Sequence, residues 1–325
     1  DMARNPLLPE SELPRLKKDR LRQLSIQKTQ PQQITLEKFR QVMYGDHAYG
    51  RIFPTEAMIE SFTIDKVRGF YDANFGAART RLYVAGRFDA GATSAAIREA
   101  FGDWQKGPDP LIDIPKPVTQ RSVHMVDRPD AAQSTIFLGL PVVDPSNQDY
   151  MKLLVTNTLL GGFFSSRVTA NIREDKGYTY SPGSSISSRY RDAYWVQTAD
   201  VTTDVTGPAL KEIFYEINRL QSEAPSEEEL RGVQNYLAGV FVLQNSSRGG
   251  IIGQLAFVNL HGLDDSYLTE YVKNVFAVTP ADVQRMAQTY LRDEEMTLAI
   301  TGDVKKIKKQ VEDVTKGMID ITKTN

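Results

Sequence analysis

The stretch "NIREDKGYTYS", residues 171 to 181, sets an arginine and a tyrosine, Arg173 and Tyr180, seven positions apart across a break at Gly177. A guanidinium and a phenolic hydroxyl are both hydrogen-bond donors. Two donors aimed at one point suit a reaction in which negative charge develops on an oxygen, as in acyl transfer. Packing gives a second account of the same residues. Tyr178 and Tyr180 fit a strand laid on a sheet, and Arg173 in the last turn of a helix meets the negative end of the dipole. Glu174, Asp175 and Lys176 read as a solvated helix end.

Other chemistries find little support. The chain has no cysteine, which removes thiolate nucleophiles, disulfides and cysteine-based metal sites. Its three histidines, His47, His124 and His261, lie 77 (124 − 47) and 137 (261 − 124) residues apart, so neither H-E-x-x-H nor H-x-x-E-H is present. No metal ligand is assigned, Glu10 and Glu12 reading as first-turn carboxylates favoured by the helix dipole. His47 in "YGDHAYG" reads as a loop histidine and His124, in an alternating strand, as a surface one. Ser165 and Ser166 follow Gly161-Gly162-Phe163-Phe164 at a helix start with no histidine nearby, which suits a cap better than a nucleophile. "SRGG", residues 247 to 250, lacks the lysine of a phosphate loop and reads as an interhelix turn.

Composition narrows the class further. Apolar residues make up 41% and charged residues 25%, as in an ordinary globular protein. No run approaches the length of a membrane span. The 39 basic and 41 acidic residues are interspersed, giving a formal charge of −2 and no basic stripe for nucleic acid.

The elements that must position Arg173 and Tyr180 follow from periodicity. Strands are expected at 121–127, 134–140, 178–188 and 193–202, and helices at 147–160, 165–175 and 207–221. A further helix opens with the capping box Ser226-Glu227-Glu228-Glu229. At the start of the chain, Ser11 as cap, Pro14 and the leucines 13, 16, 21 and 24 predict an amphipathic helix. Adjacent strands joined by short turns, with paired helices elsewhere, imply an α+β fold: a mainly antiparallel sheet with helices on one face.

The chain also repeats itself. "FTIDKVRGFYDANFGAARTRLYVAGRFD", from Phe62, aligns without a gap on "VTPADVQRMAQTYLRDEEMTLAITGDVK", from Val278, at an offset of 216 residues. Thr63 falls on Thr279, Phe70 on Met286, Phe75 on Leu291, Leu82 on Leu298, Val84 on Ile300 and Gly86 on Gly302. Each copy reads as a threonine-capped helix followed by a strand that ends at glycine. The expected organisation is then residues 1–107 as the second half of one domain, 108–120 as a proline-rich linker, and 121–325 as a complete second domain. Roughly a hundred residues are expected before Asp1.

The run "LLGGFFSSRVTANIREDKGYTYSPGSS", with "RPDAAQSTIFLGLP" before it and "LKEIFYEINRL" and "SEEELRGVQNYLAG" after it, resembles the pitrilysin, insulysin and mitochondrial processing peptidase family of metallopeptidases. "YGDHAYGRIFPTEAMIESFTIDKVRGFYDANF" through "RLYVAGRFD" is similar to the end of that family's preceding domain. The resemblance implies two homologous domains of antiparallel sheet covered by helices, the first incomplete at its N-terminus. In such proteins one domain holds zinc through H-x-x-E-H, and a partner domain supplies an arginine and a tyrosine at the spacing of Arg173 and Tyr180. It therefore implies a zinc-metallopeptidase half in which Arg173 and Tyr180 are catalytic and Gly161, Gly162 and Phe163 lie at the substrate. Zinc is expected on a partner or an upstream segment, with none in this chain. Peptides are the implied substrates, and the implied assembly is a homodimer or a heterodimer with a zinc-binding homologous subunit. The alternative is a catalytically inactive structural or peptide-binding subunit. Bacterial relatives imply periplasm or cytoplasm.

Overall fold

The computed structural model describes residues 1–315 and 319–323. Its helices are α1 (Leu13–Gln27), α2 (Pro31–Tyr44), α3 (Glu56–Glu60), α4 (Ile64–Asn74), α5 (Ala90–Phe101), α6 (Tyr150–Asn157) and α7 (Arg167–Thr169). They continue with α8 (Thr206–Ser222), α9 (Glu227–Asn245), α10 (Arg248–His261), α11 (Ser266–Thr269), α12 (Tyr271–Phe276), α13 (Pro280–Tyr290) and α14 (Val304–Thr315). The strands are β1 (Ser122–Asp127), β2 (Gln133–Val142), β3 (Gly183–Arg189), β4 (Asp192–Thr202), β5 (Thr297–Gly302) and β6 (Ile319–Lys323). No helix among the described residues is long and apolar enough to cross a membrane.

Two compact units divide the chain, the first of residues 1–27, 53–113 and 245–256, the second of 28–52, 114–244 and 257–325. One of their boundaries, at Asp113, falls within the proline-rich 108–120 segment. Residues 28–52 and 245–256 pack with the unit that the repeat would not have assigned to them.

The second unit is α+β, built on one sheet in the order β3-β4-β2-β5-β1-β6. The β3–β4, β4–β2 and β2–β5 pairs are antiparallel, whereas β5–β1 and β1–β6 are parallel. Alternation along the strands gives the sheet two apolar faces. One presents Met125, Ile136, Leu138, Trp195, Val201, Leu298 and Ile300 to a core completed by Leu210, Ile213 and Ile217 of α8 and Val283 and Ala287 of α13. The other presents Tyr194, Val196 and Ala299 to Phe39, Met43 and Tyr44 of α2. The helices therefore cover both faces, a correction to the one-face expectation. The i, i+4 spacing of Phe39 and Met43 and the buried Thr35 hydroxyl, which donates to the Thr301 hydroxyl at 2.7 Å, dock α2 there.

Local chemistry sets the helix ends. Ser226 accepts from the Glu229 N–H at 3.1 Å, but the Glu229 carboxylate turns to Arg167, so this box is half made. Thr279 and Asp282 at the start of α13 make the reciprocal box in full. Burial alone would raise the Asp282 carboxyl, but the Lys152 ammonium 2.8 Å away and the Thr279 N–H and hydroxyl hold it at about 2, below the ordinary 3.8. A depressed folded-state value means that this contribution is full above the unfolded value and is lost as the pH falls from about 3.8 towards about 2. Asp282→Asn should accordingly lower stability at neutral pH and flatten the acid response in that window. Urea unfolding at a series of pH values checks this, and identical acid profiles for the two proteins would remove the contribution.

The first unit contains α1, α3, α4, α5 and the first part of α10. Leu24 is buried in α1, while Leu16 is 52% exposed, so the leucine face is only partly used. Thr63 caps α4 and Asp89 caps α5 through their side chains. The strand expected through Leu82, Val84 and Gly86 is not formed, and residues 53–113 contain no strand. A lone strand leaves its N–H and C=O groups without neighbours, so the alternating pattern alone does not make one.

Candidate functional site

Arg173 sits in the second of two π-helical turns, Thr158–Gly162 and Ala170–Asp175. In the latter the Lys176 N–H reaches back five residues to the Asn171 carbonyl at 3.0 Å. Such a turn holds one more residue than an α-turn and re-aims the side chains that follow. Gly177, at φ +65, takes the left-handed conformation that ends it. Beyond it the expected strand 178–188 is shortened: Thr179 makes one isolated bridge with Val201, and β3 starts only at Gly183. Pro182, which has no N–H to give a ladder, explains the delay.

This interruption separates the two tyrosines. Tyr178 packs against the core, as a strand aromatic does. Tyr180 is 82% exposed, so burial does not account for it. Its ring centroid lies 5.1 Å from the Arg173 guanidinium, and the Phe164 ring lies 4.5 Å from the same group. Each such contact contributes about 0.5–1 kcal/mol at an exposed site and limits where the guanidinium can swing. Glu174 pairs with Arg173 at 3.2 Å, but its side chain is 55% exposed, so this pair is screened and weak.

Arg173, Tyr180 and Phe164 line a cleft of about 480 Å³ together with Gly161, Gly162, Phe163, Thr169 and residues 181–184. All five residues expected at the site thus reach one cleft. Their surroundings differ, since Phe163 also packs on the core with its ring 5.0 Å from Tyr236, whereas Phe164 is 65% exposed. Gly161 lets the floor close: a Cβ there would stand 2.6 Å from the Ser184 hydroxyl and 2.7 Å from Gln197 Oε1.

A polar layer supports the floor. Asn157 Oδ1 accepts from the Ser184 hydroxyl at 2.8 Å and from Trp195 Nε1 at 2.9 Å, tying the first π-helical turn to β3 and β4. Asn171 Nδ2 donates to Glu212 Oε2 at 3.0 Å and Glu216 Oε1 at 2.8 Å, tying the second to α8. Arg167 donates through Nε and Nη2 to both oxygens of Glu229, at 2.6 and 2.8 Å, a bidentate pair that fixes α7 to α9. Ser166, expected as a cap, occupies the position before α7, but its hydroxyl donates to Thr169 Oγ1. Sequence reasoning had not singled out Phe164, Asn157 or Asn171. The only available signal was their proximity to Gly161 and Arg173.

Among the described residues no three histidine, aspartate or glutamate side chains gather as a metal site would require. His47 accepts the Tyr49 N–H at 3.1 Å, His124 is half-buried in β1 instead of exposed, and His261 is 2% exposed beside Phe257. The described residues do not fit a zinc ion.

The family model for the peptidase M16 inactive domain matches residues 61–237, more than half of the chain. The chain belongs to the M16 peptidase family. A Streptomyces coelicolor protein described as an uncharacterized zinc protease is 23% identical over 312 residues, covering 94% of this chain and 68% of the relative. A Bacillus subtilis relative with the same description is 27% identical over 195 residues, covering 59% of this chain and 46% of its own length. The chain thus spans between about half and two thirds of these M16 relatives. The crystal structure of a peptidase M16 inactive domain from Pseudomonas fluorescens superposes with a TM-score of 0.79 at 23% identity, over 91% of this chain and 72% of that one. That likeness establishes the shared fold.

Proposed function

We propose that this M16 chain is the half of a peptide-hydrolysing site that supplies Arg173 and Tyr180, with the zinc held by a homologous domain or subunit. The observation that carries this reading is the convergence of the two side chains, 5.1 Å from guanidinium to ring, in one open cleft floored by Gly161 and Gly162. In this reading the Arg173 guanidinium holds a backbone carbonyl of an extended peptide. The Tyr180 hydroxyl donates to the oxygen of the scissile carbonyl as it gains negative charge. The low glycine floor and the Phe163 side chain bound the space in which the peptide lies. In this reading the zinc-binding counterpart is a homologous domain or the other subunit of a homodimer or heterodimer, and peptides are the substrates.

The reading requires that the 325 residues alone do not cleave peptides. Incubation of the purified chain with a quenched fluorescent peptide, with and without zinc, is expected to give no chelator-sensitive signal. Adding a zinc-binding M16 subunit that lacks its own arginine–tyrosine pair is expected to produce one. Hydrolysis by the chain alone, free of contaminating protease, would contradict the reading. Binding of the peptide without hydrolysis in the mixture would favour the peptide-holding alternative.

A further inference from the structure

Charge is unevenly shared around the cleft. Among the described residues that line it, Arg173 is the only charged one, and the rest are glycine, proline, hydroxyl and aromatic residues. The Arg173 side chain is 22% exposed, so much of its hydration is gone. A cation drawn this far out of water calls for a compensating anion. The acids of α8 and α9 are committed elsewhere: Glu229 to Arg167, Glu216 to Asn171 and Arg219, and Glu212 to Asn171. Glu174 remains, 3.2 Å from a single guanidinium nitrogen, with its side chain 55% exposed. The Phe164 and Tyr180 rings lie 4.5 and 5.1 Å from the guanidinium carbon. Ring faces attract a cation through a partial negative charge, but they do not take up the directional N–H donors of its edge.

We propose that the Arg173 guanidinium is a carboxylate-selecting subsite, so that the preferred peptides carry an acidic side chain or a free C-terminal carboxylate beside the carbonyl held there. The inference rests on the reading of the cleft as a peptide site and adds the class of peptide it takes. A guanidinium presents its N–H donors in a rigid planar fork, which a carboxylate meets with two parallel hydrogen bonds and a backbone carbonyl with one oxygen only. Glu174 occupies one nitrogen of that fork until the substrate carboxylate displaces it. One ion pair at the exposed rim is then exchanged for two charge-assisted hydrogen bonds inside the cleft, where screening by water is weaker. With no acid among the residues that line the cleft, the incoming carboxylate meets no like charge on its walls.

Fluorescence anisotropy of the intact chain with labelled short peptides tests it. The probes are a neutral glutamine-containing peptide amide, the same amide with glutamate at each position in turn, and the neutral sequence with a free C-terminal carboxylate. A carboxylate peptide is expected to bind at least about 10-fold more tightly than the neutral amide. Whether the glutamate or the free C-terminus brings the gain identifies the source of the carboxylate. Glu174→Gln, which removes the competing acid, should tighten that peptide by about 2- to 5-fold and leave the neutral amide unchanged. Arg173→Gln, with an unchanged circular dichroism spectrum as the control for folding, should bring the peptides within about 2-fold of one another. Equal affinity of the neutral and carboxylate peptides for the unsubstituted chain overturns the proposal and leaves the cleft as a peptide site. A preference that survives Arg173→Gln overturns it too, since the carboxylate then sits on another cation. Binding of no peptide at all overturns both the proposal and the reading on which it rests. In the site completed with a zinc-binding M16 subunit, equal kcat/KM for neutral and carboxylate peptides means that the counterpart supplies the anion to Arg173, and it overturns the proposal as well.

Discussion

Tyr180→Phe is expected to lower turnover of the site completed with a zinc-binding M16 subunit by about 10²- to 10³-fold, with little change in KM. The substitution is selective because the ring stays. Tyr180 is 82% exposed and touches Arg173 through its ring face, so phenylalanine keeps the contact with the guanidinium and removes only the hydroxyl. A donor whose partner is the developing oxyanion stabilises the transition state more than the bound substrate, so its loss falls on kcat. Arg173→Ala removes the group that holds the Phe164 and Tyr180 rings and, in the proposed role, a ligand of the substrate carbonyl, so it should raise KM as well. Steady-state kinetics of the two variants separate these roles. Equal losses in KM and none in kcat for Tyr180→Phe would leave the tyrosine as a binding surface only.

Asn157→Leu is expected to destabilise the second unit by about 1–3 kcal/mol, because it leaves the buried Trp195 indole N–H without an acceptor and the Ser184 hydroxyl with only the Asn157 backbone carbonyl at 3.3 Å. In a unit of this size that corresponds to a melting temperature lower by roughly 2–12 °C. Asn157 is 5% exposed and Trp195 is 0% exposed, so water does not reach the orphaned N–H without opening the core. The same substitution frees the turn that carries Gly161 and Gly162, and activity of the completed site should fall even below the melting transition. Calorimetry on the isolated chain measures the first effect. A loss under about 0.5 kcal/mol, the level of an ordinary surface change, would mean that the layer below the cleft contributes little.

Much of this architecture was legible because apolar alternation and helix caps are local signals. Strands β1, β2 and β4 lie within two residues of their expected ranges, and a Thr279 cap starts α13 as read. The π-helical turns were not legible, since an apolar periodicity near 3.6 does not reveal one inserted residue. That insertion lies in the turn that carries Arg173, and the break in the strand before Gly183 separates Tyr180 from Tyr178. Phe163 and Phe164 are identical in type and adjacent, so only the fold tells which of them stays exposed beside Arg173. Nothing local marks Phe39 and Met43 of α2 as the side chains that close the second face of the sheet. The 81–86 stretch is the converse case, in which a strand pattern is present and its sheet neighbours are not.

The central claim is that Arg173 and Tyr180 complete a site whose metal lies elsewhere. The measurement that tests it most directly is the rate of chelator-sensitive peptide cleavage when this chain is titrated into a zinc-binding M16 subunit that lacks the pair. The account predicts that activity appears, saturates at a fixed ratio of the two proteins, and is lost when the added chain carries Arg173→Ala and Tyr180→Phe together. Saturable activation of equal size by the doubly substituted chain would contradict it.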